Sequence, residues 1–244
     1  MGQQATRPLR HRLLELTATT AFFCYALSLA VQVAGAVDSS GETLWVFVGL
    51  LLGYVLADLI SGVAHWVGDR FFDETTPVIG PNFIAPFRRH HVEPSAMITH
   101  GFVELVGNTA ILALPTIAAA YHLVDFGSDS GWALFGGCVA LGATVGAVFT
   151  NIFHCWSHMQ RPPRVAQLLQ GLGVVITPER HAHHHSGSFD RSYCITTGWL
   201  NAALDDLRVW ERLEGWLGRD GSAVSSESKR PLAQNSTRRS RELS

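Results

Sequence analysis

Charge is scarce in this sequence. Asp, Glu, Lys and Arg make up 16% of the 244 residues, whereas they make up about 25% of an average soluble protein. The formal net charge is −2, and the charged residues concentrate in the two tails and in one loop. This distribution excludes a nucleic-acid-binding protein that relies on a basic face, and it also excludes an intrinsically disordered chain.

Cysteine is also sparse, whereas histidine is abundant. The four cysteines stand singly, at positions 24, 138, 155 and 194, and form no C-x-x-C pair. Neither a disulfide scaffold nor a thiolate zinc site is therefore expected. The chain has 12 histidines, and their clustering is the most informative feature of the composition.

Four long apolar runs predict four transmembrane helices, because a span needs about 20 consecutive apolar residues. The alternative is a set of buried helices in a large soluble protein, but this chain has too little polar sequence to cover them. The fold class we predict is all-α, in a multi-pass membrane protein. The four runs, in which Asp58 is the only charged residue, are 17–37, 43–66, 105–124 and 130–153.

The basic residues predict the orientation. All 18 Lys and Arg residues lie in the N-terminal tail, in the loop 67–102 or after the fourth run, so that side should be cytoplasmic. Both termini would then be cytoplasmic, in the cell membrane of a bacterium or the endoplasmic reticulum of a eukaryote. The expected domains are a cytoplasmic tail at 1–16, a membrane domain at 17–217 and a disordered tail at 218–244.

Eleven of the 12 histidines lie on this predicted cytoplasmic side, and ten of them form clusters that are separated in sequence. Residues four apart share one face of a helix, which pairs His154 with His158 and pairs His65 with Asp69. Neutral imidazole is a good ligand for iron, copper and zinc, so we expect a metal site at this membrane face. The candidate ligands are His65, Asp69, His90, His91, His100, His154, His158, His181, His184 and His185.

The number of these candidates suits a site with two metal ions. In the last cluster a helix turns His183 away from the other three histidines, whereas an extended strand would group His183 with His181 and His185 instead. Nearby polar residues are candidates for hydrogen bonds to the ligands, or alternatively for helix packing and interfacial contacts. These residues are Asp58, Glu104, Asn108 and Asn151.

Five sequence motifs resemble the Kua/CarF lipid-desaturase family. They are H-W-V-G-D, P-F-R-R-H-H-V-E-P-S-A-M-I-T-H-G-F-V-E, H-C-W-S-H, H-A-H-H-H and Y-C-I-T-T-G-W-L-N. The resemblance covers about residues 58–202 in both the order and the spacing of the motifs. His183 is an addition to the H-x-x-H-H box of the family, and Asp69 stands where a second histidine is common in other membrane desaturases.

The resemblance implies a non-haem di-iron oxidoreductase that uses O₂ to desaturate a lipid chain. Electrons would come from a separate small carrier similar to cytochrome b5 or ferredoxin, since the sequence shows no flavin or nicotinamide motif. The expected substrate is an alkyl-ether phospholipid, plasmanylethanolamine, and the product is the vinyl ether of a plasmalogen. The residues expected to be catalytic are His65, Asp69, His154, His158, His181, His184 and His185.

Other functions stay open at the level of sequence. A desaturase of this type could act on a fatty acyl chain of a phospholipid, and a hydroxylase would use the same two metals. A metal transporter would need ligands along a path through the bilayer, but the histidines crowd at one face. A non-catalytic membrane adaptor could hold structural zinc with the same histidines.

Overall fold

The computed structural model describes residues 8–37, 40–127 and 131–218, and within these ranges the regular structure is entirely helical. The all-α prediction is therefore confirmed. The helices are α1 (Leu9–Gly35), α2 (Ser40–Arg70), a π-helix (Gly80–Ile84), α3 (Ala85–Val92), a 3₁₀-helix (Pro94–Thr99), α4 (Phe102–Leu123), α5 (Gly131–Ser157), α6 (Arg164–Gly171), α7 (Pro178–His184), α8 (Asn201–Asp206) and α9 (Val209–Trp216).

Helices α1, α2, α4 and α5 are long and apolar enough to cross a membrane. They correspond to the four predicted spans. Helix α1 begins at Leu9, well before the predicted start at residue 17, so part of the predicted N-terminal tail is helical. Large apolar side chains such as Leu27, Leu44 and Leu51 are exposed on the outside of the bundle, as expected for surfaces that face lipid.

The spanning helices pack in the order α1, α4, α5, α2. Phe22 and Leu29 of α1 are fully buried against Ile117 of α4 and Val148 of α5. Helices α2 and α5 approach so closely that a Cβ atom on Gly53 would lie 2.3 Å from the carbonyl oxygen of Val139. Small residues permit this close approach between membrane helices, where packing replaces the hydrophobic effect.

The chain direction of the four helices brings the histidines to one end of the bundle. Contacts of Gly49 with Cys138 and of Gly146 with Ala57 show that α2 and α5 run parallel, so both helices end on the same side. The short helices α3 and α7 pack against these ends, α3 against α2 and α7 against α5. All the histidine motifs therefore meet at the same end.

A second compact unit begins at Leu204. Within it, α9 begins after Arg208, whose backbone has a positive φ of 50°. The predicted disordered tail at 218–244 lies outside the described residues, except for Gly218. The first seven residues of the predicted N-terminal tail also lie outside them.

Candidate metal centre

Nine of the ten predicted ligands lie in two compact groups. In each group the potential ligand atoms all lie within 4.8 Å of one another. We call the first the five-histidine group, which consists of His90, His154, His158, His181 and His185. We call the second the four-ligand group, which consists of His65, Asp69, His91 and His184.

In the five-histidine group, two helical pairs face each other. His154 on α5 and His158 just after it lie four residues apart, as do His181 and His185 at the end of α7, so each pair shares one face. Their Nε2 atoms are 2.8 Å apart between His154 and His181, 3.0 Å between His181 and His158, and 2.9 Å between His185 and His181. The buried Nε2 of His90 has no hydrogen-bond partner among the described residues.

In the four-ligand group, three imidazoles surround one carboxylate. Oδ2 of Asp69 lies 3.3 Å from Nε2 of His65, 3.5 Å from Nε2 of His91 and 3.4 Å from Nε2 of His184. The Nε2 atoms of His184 and His91 are 3.1 Å apart. Neither carboxylate oxygen of Asp69 has a hydrogen-bond partner in the described part of the chain.

Consecutive histidines contribute to different groups. Neighbouring residues on a helix point about 100° apart, so His90 of α3 enters the five-histidine group whereas His91 enters the four-ligand group. At the end of α7, His184 and His185 divide in the same way. The ring centroids of His90 and His91 are 4.2 Å apart, and the two groups therefore lie side by side.

Backbone carbonyls orient two of the ligands. Nδ1 of His184 lies 2.7 Å from the carbonyl oxygen of Arg191, and Nδ1 of His65 lies 3.2 Å from that of Tyr193. A carbonyl can only accept, so Nδ1 of each ring carries the proton and Nε2 of a neutral ring has a lone pair. Such hydrogen bonds are typical of histidines that bind metals. Sequence reasoning missed both contacts, because a backbone carbonyl has no residue-type signal.

This chemistry fits a bound cation in each group. In the four-ligand group, lone pairs of His65 and His184 converge on the carboxylate of Asp69, and a positive charge between them would make that arrangement favourable. A metal–nitrogen bond of about 2.1 Å with ligands at right angles would separate neighbouring nitrogens by about 3.0 Å. The spacing of the Nε2 atoms in the five-histidine group agrees with that value.

Burial holds neutral five of the candidate ligands that lie outside the membrane spans. Burial, reinforced by the neighbouring imidazoles, lowers the pKa of His91 to about 3 and the pKa values of His158 and His185 to about 4. The same causes bring the pKa values of His90 and His181 well below the ordinary value of a histidine. Neutral rings at pH 7 have the free lone pair that a metal ion requires.

His100 lies outside both groups. It follows the 3₁₀-helix in extended backbone, with φ −74° and ψ 140°, and lines a cavity beside the histidines. Glu104 and Asn108 of α4, two of the polar residues predicted to lie near the ligands, are in the same region. Asn108 lines the cavity, and Glu104 lines it as well while its Oε2 accepts a 3.0 Å hydrogen bond from the backbone N–H of Gly101 at the start of α4.

Asn151 and Asp58 make hydrogen bonds between elements of the bundle. Nδ2 of Asn151 donates to the carbonyl oxygen of Leu105, 3.0 Å away, and thereby joins α5 to α4. Asp58 is fully buried, and its Oδ1 accepts from the backbone N–H groups of Thr197 at 2.7 Å and of Gly198 at 3.0 Å. Asp58 thus fixes the backbone at Thr197 and Gly198, a few residues after the carbonyl groups that orient His184 and His65.

The helical arrangement of the last box agrees with the sequence prediction. His181 and His184 are buried, whereas His183 is exposed and belongs to neither group. His122 lies at the other end of α4, where its Nε2 is 3.3 Å from the hydroxyl oxygen of Tyr25.

A cavity of about 340 Å³ runs from the five-histidine group into the bundle. His90 and His154 line one end of it, and Ala143 and Thr116 line the other. Helix α5 rises about 16 Å over the 11 steps between Ala143 and His154. This distance is about half of a hydrocarbon core roughly 30 Å thick. Because most of the lining is apolar, the cavity is suited to a hydrocarbon chain.

The fold and the site together define a membrane protein whose histidine clusters, which could hold metal ions, border a mostly apolar cavity. The profile of the lipid desaturase domain matches residues 54–222. The chain therefore belongs to the lipid desaturase family, as its motifs predicted, and the prediction of an oxidoreductase that desaturates a lipid is confirmed.

Three relatives show the breadth of this family. Plasmanylethanolamine desaturase of Myxococcus xanthus is 36% identical over 84% of this chain and 72% of its own length. Plasmanylethanolamine desaturase 1 of Mus musculus is 35% identical over 69% of this chain and 64% of its own length. The chloroplastic fatty acid desaturase 4 of Arabidopsis thaliana is 33% identical over 84% of this chain and 60% of its own length. No solved structure matches the chain.

Proposed function

We propose that this protein is a di-iron desaturase that converts an alkyl-ether phospholipid into its vinyl ether. The observation that carries the proposal is the position of the five-histidine group at one end of a cavity that is long enough for a lipid tail, with the four-ligand group beside it. The names of the bacterial and mouse relatives support an ether-lipid substrate.

Each ligand group would hold one iron ion. His90, His154, His158, His181 and His185 would hold the first, and His65, Asp69, His91 and His184 would hold the second. When bound, ferrous iron supplies the reductive activation of O₂ that removal of hydrogen from an unactivated carbon requires. The donor set of neutral nitrogens with one carboxylate is compatible with iron and lacks the thiolates of iron–sulfur and most structural zinc sites.

The position of the cavity determines which bond of the lipid would lie beside the ligand groups. A tail that lies along α5 towards Ala143 places its far end deep in the bundle, while the carbons near the glycerol lie beside His90 and His154. A vinyl ether has its double bond at the first carbon after the ether oxygen, so it requires this placement. His100 and Glu104 also line the cavity, and their polar side chains suit the polar end of a phospholipid.

The reaction needs two electrons from outside the chain. Conversion of –O–CH₂–CH₂– to –O–CH=CH– removes two hydrogen atoms, and with O₂, two electrons and two protons it yields two molecules of water. A small electron-transfer protein similar to cytochrome b5 or ferredoxin would supply the electrons. We propose that the centre faces the cytoplasm, because all 18 Lys and Arg residues occur in the segments predicted on that side.

A reconstituted reaction tests this proposal. The full-length protein in lipid vesicles receives iron, O₂, a reductant, a carrier protein and 1-alkyl-2-acyl-phosphoethanolamine. Acid hydrolysis cleaves vinyl ethers, so the expected result is a long-chain aldehyde whose amount depends on O₂ and on the carrier. If no aldehyde forms while a fatty acyl chain gains a double bond, the ether-lipid substrate is wrong. If a hydroxylated lipid forms instead, the desaturation itself is wrong.

A further inference from the structure

One short segment, Phe189–Tyr193, contacts every histidine of the four-ligand group. We call it the capping segment. The carbonyl oxygen of Arg191 accepts from Nδ1 of His184, and the carbonyl oxygen of Tyr193 accepts from Nδ1 of His65. The third histidine, His91, contacts the segment through the side chain of Phe189.

The contact between Phe189 and His91 is a parallel stack. The ring centroids are 4.4 Å apart and the ring planes differ by only 10°. Among the described residues His91 makes no hydrogen bond through Nδ1, in contrast to His65 and His184. A ring without that hydrogen bond is free to turn about its terminal torsion. The stack on Phe189 is therefore the contact that fixes the plane of the His91 imidazole.

The backbone holds Phe189 in an unfavourable conformation. Its φ is +53°, a left-handed value that is uncommon and unfavourable for a bulky side chain. The fully buried Tyr193 donates from its hydroxyl group to the carbonyl oxygen of Phe189 at 2.9 Å and so supports this conformation. Such strain persists only where the surrounding structure enforces it, and at a metal centre that indicates a function.

The two ligand groups also differ in what surrounds them. His90 and His154 of the five-histidine group line the lipid cavity, whereas none of the four-ligand residues lines it. The ring of Phe189 stacks on His91 with the centroids 4.4 Å apart, whereas its centroid lies 6.0 Å from that of His184 and 5.9 Å from that of His185 of the five-histidine group, both in edge-on contacts. The parallel stack and the two carbonyl hydrogen bonds therefore all fall on the four-ligand group, which does not border the cavity.

We infer that Phe189 is a positioning residue for the four-ligand metal, which acts by stacking on His91. This inference rests on the two-metal centre proposed above. Loss of the aromatic ring should free His91 and leave that metal with three fixed ligands, while the five-histidine metal stays bound. Loss of a contact that orients a ligand typically lowers metal affinity 10- to 100-fold.

The test uses the full-length protein, purified anaerobically in detergent and equilibrated with ferrous iron. Iron per chain is measured after desalting, and the dissociation constant of the weaker site is measured by competition with a chelator. The variants Phe189→Leu and Phe189→Asn lack the ring, and asparagine also tolerates a positive φ. The variants Phe189→Tyr and Phe189→Trp keep an aromatic ring and serve as matched controls.

The wild type and both aromatic variants should bind two irons per chain, whereas the leucine and asparagine variants should approach one. The weaker dissociation constant should rise 10- to 100-fold in those two variants. Adding His91→Ala to Phe189→Asn should cause no further loss of iron, because both changes act on one ligand. Two tightly bound irons in Phe189→Asn would overturn the inference, and so would loss of iron in Phe189→Tyr. A wild type with fewer than two irons would instead overturn the two-metal centre itself.

Discussion

Replacement of Asp58 by asparagine should destabilise the protein, because this buried carboxylate caps three backbone N–H groups. Its Oδ1 accepts from Thr197 and Gly198, and its Oδ2 accepts from Leu200 at 3.3 Å. In Asp58→Asn the amide oxygen can keep the first two hydrogen bonds. The amide NH₂ group then faces the N–H group of Leu200, so one acceptor becomes a donor.

The expected cost follows from these three contacts. Loss of one charge-assisted hydrogen bond and exposure of one buried donor to another donor should cost about 1.5 to 3 kcal/mol. Asp58→Ala leaves all three donors without this acceptor and should cost about 3 to 5 kcal/mol. The segment that loosens follows Tyr193, whose carbonyl oxygen orients His65, so the variants should also bind iron more weakly.

Thermal unfolding in detergent measures this effect. For a chain of this size, 1 kcal/mol shifts the midpoint by roughly 2 to 4 °C, so the midpoint of Asp58→Asn should fall by roughly 3 to 12 °C. The matched control is Asp73→Asn, because Asp73 is an exposed carboxylate and its loss should shift the midpoint by less than about 2 °C. An unchanged midpoint for Asp58→Asn would refute the capping role.

Three further predictions concern packing, the cavity and the ligands. Gly53→Ala places a Cβ atom 2.3 Å from a carbonyl oxygen of α5, whereas Gly136→Ala meets nothing within 4 Å. Only Gly53→Ala should therefore lower the free energy of unfolding, by about 1 to 3 kcal/mol, and with it the thermal midpoint. Ala147→Phe should fill the lipid cavity and abolish aldehyde formation without loss of iron, so loss of iron or unchanged turnover would contradict the cavity assignment. His154→Ala should lower both iron content and activity, whereas the exposed His183→Ala should change neither; the opposite pattern would contradict the ligand assignment.

The sequence predicted the fold well, because the length of an apolar run is a strong signal for a membrane-spanning helix. Uncharged runs of about 20 residues predict spans, and the four observed spans correspond to the four runs. The start of α1 at Leu9 was not predicted, since the amphipathic first turns contain Arg10 and Arg12 and lie outside the uncharged run. A helix can continue beyond the apolar core of a membrane, so hydropathy does not determine its end.

Within the site, the predictable residues are those that share one helix. The spacing of four in His154–His158 and His65–Asp69 fixes a common face before any tertiary contact is known. The division of His90 from His91, and of His184 from His185, depends on how α3 and α7 pack on the bundle, which local periodicity does not determine. The positions of Phe189 and of two carbonyl oxygens depend on the backbone path of a loop, which local periodicity does not determine.

Metal content is the most direct test of the central claim that two adjacent ligand groups form a di-iron centre. Protein purified anaerobically and analysed by elemental mass spectrometry should contain iron close to two atoms per chain. Mössbauer spectroscopy of the ⁵⁷Fe-loaded protein should resolve two ferrous sites, because five nitrogens would surround one ion and three nitrogens with one carboxylate would surround the other. One tightly bound zinc per chain, with no iron retained at either group, would contradict the claim.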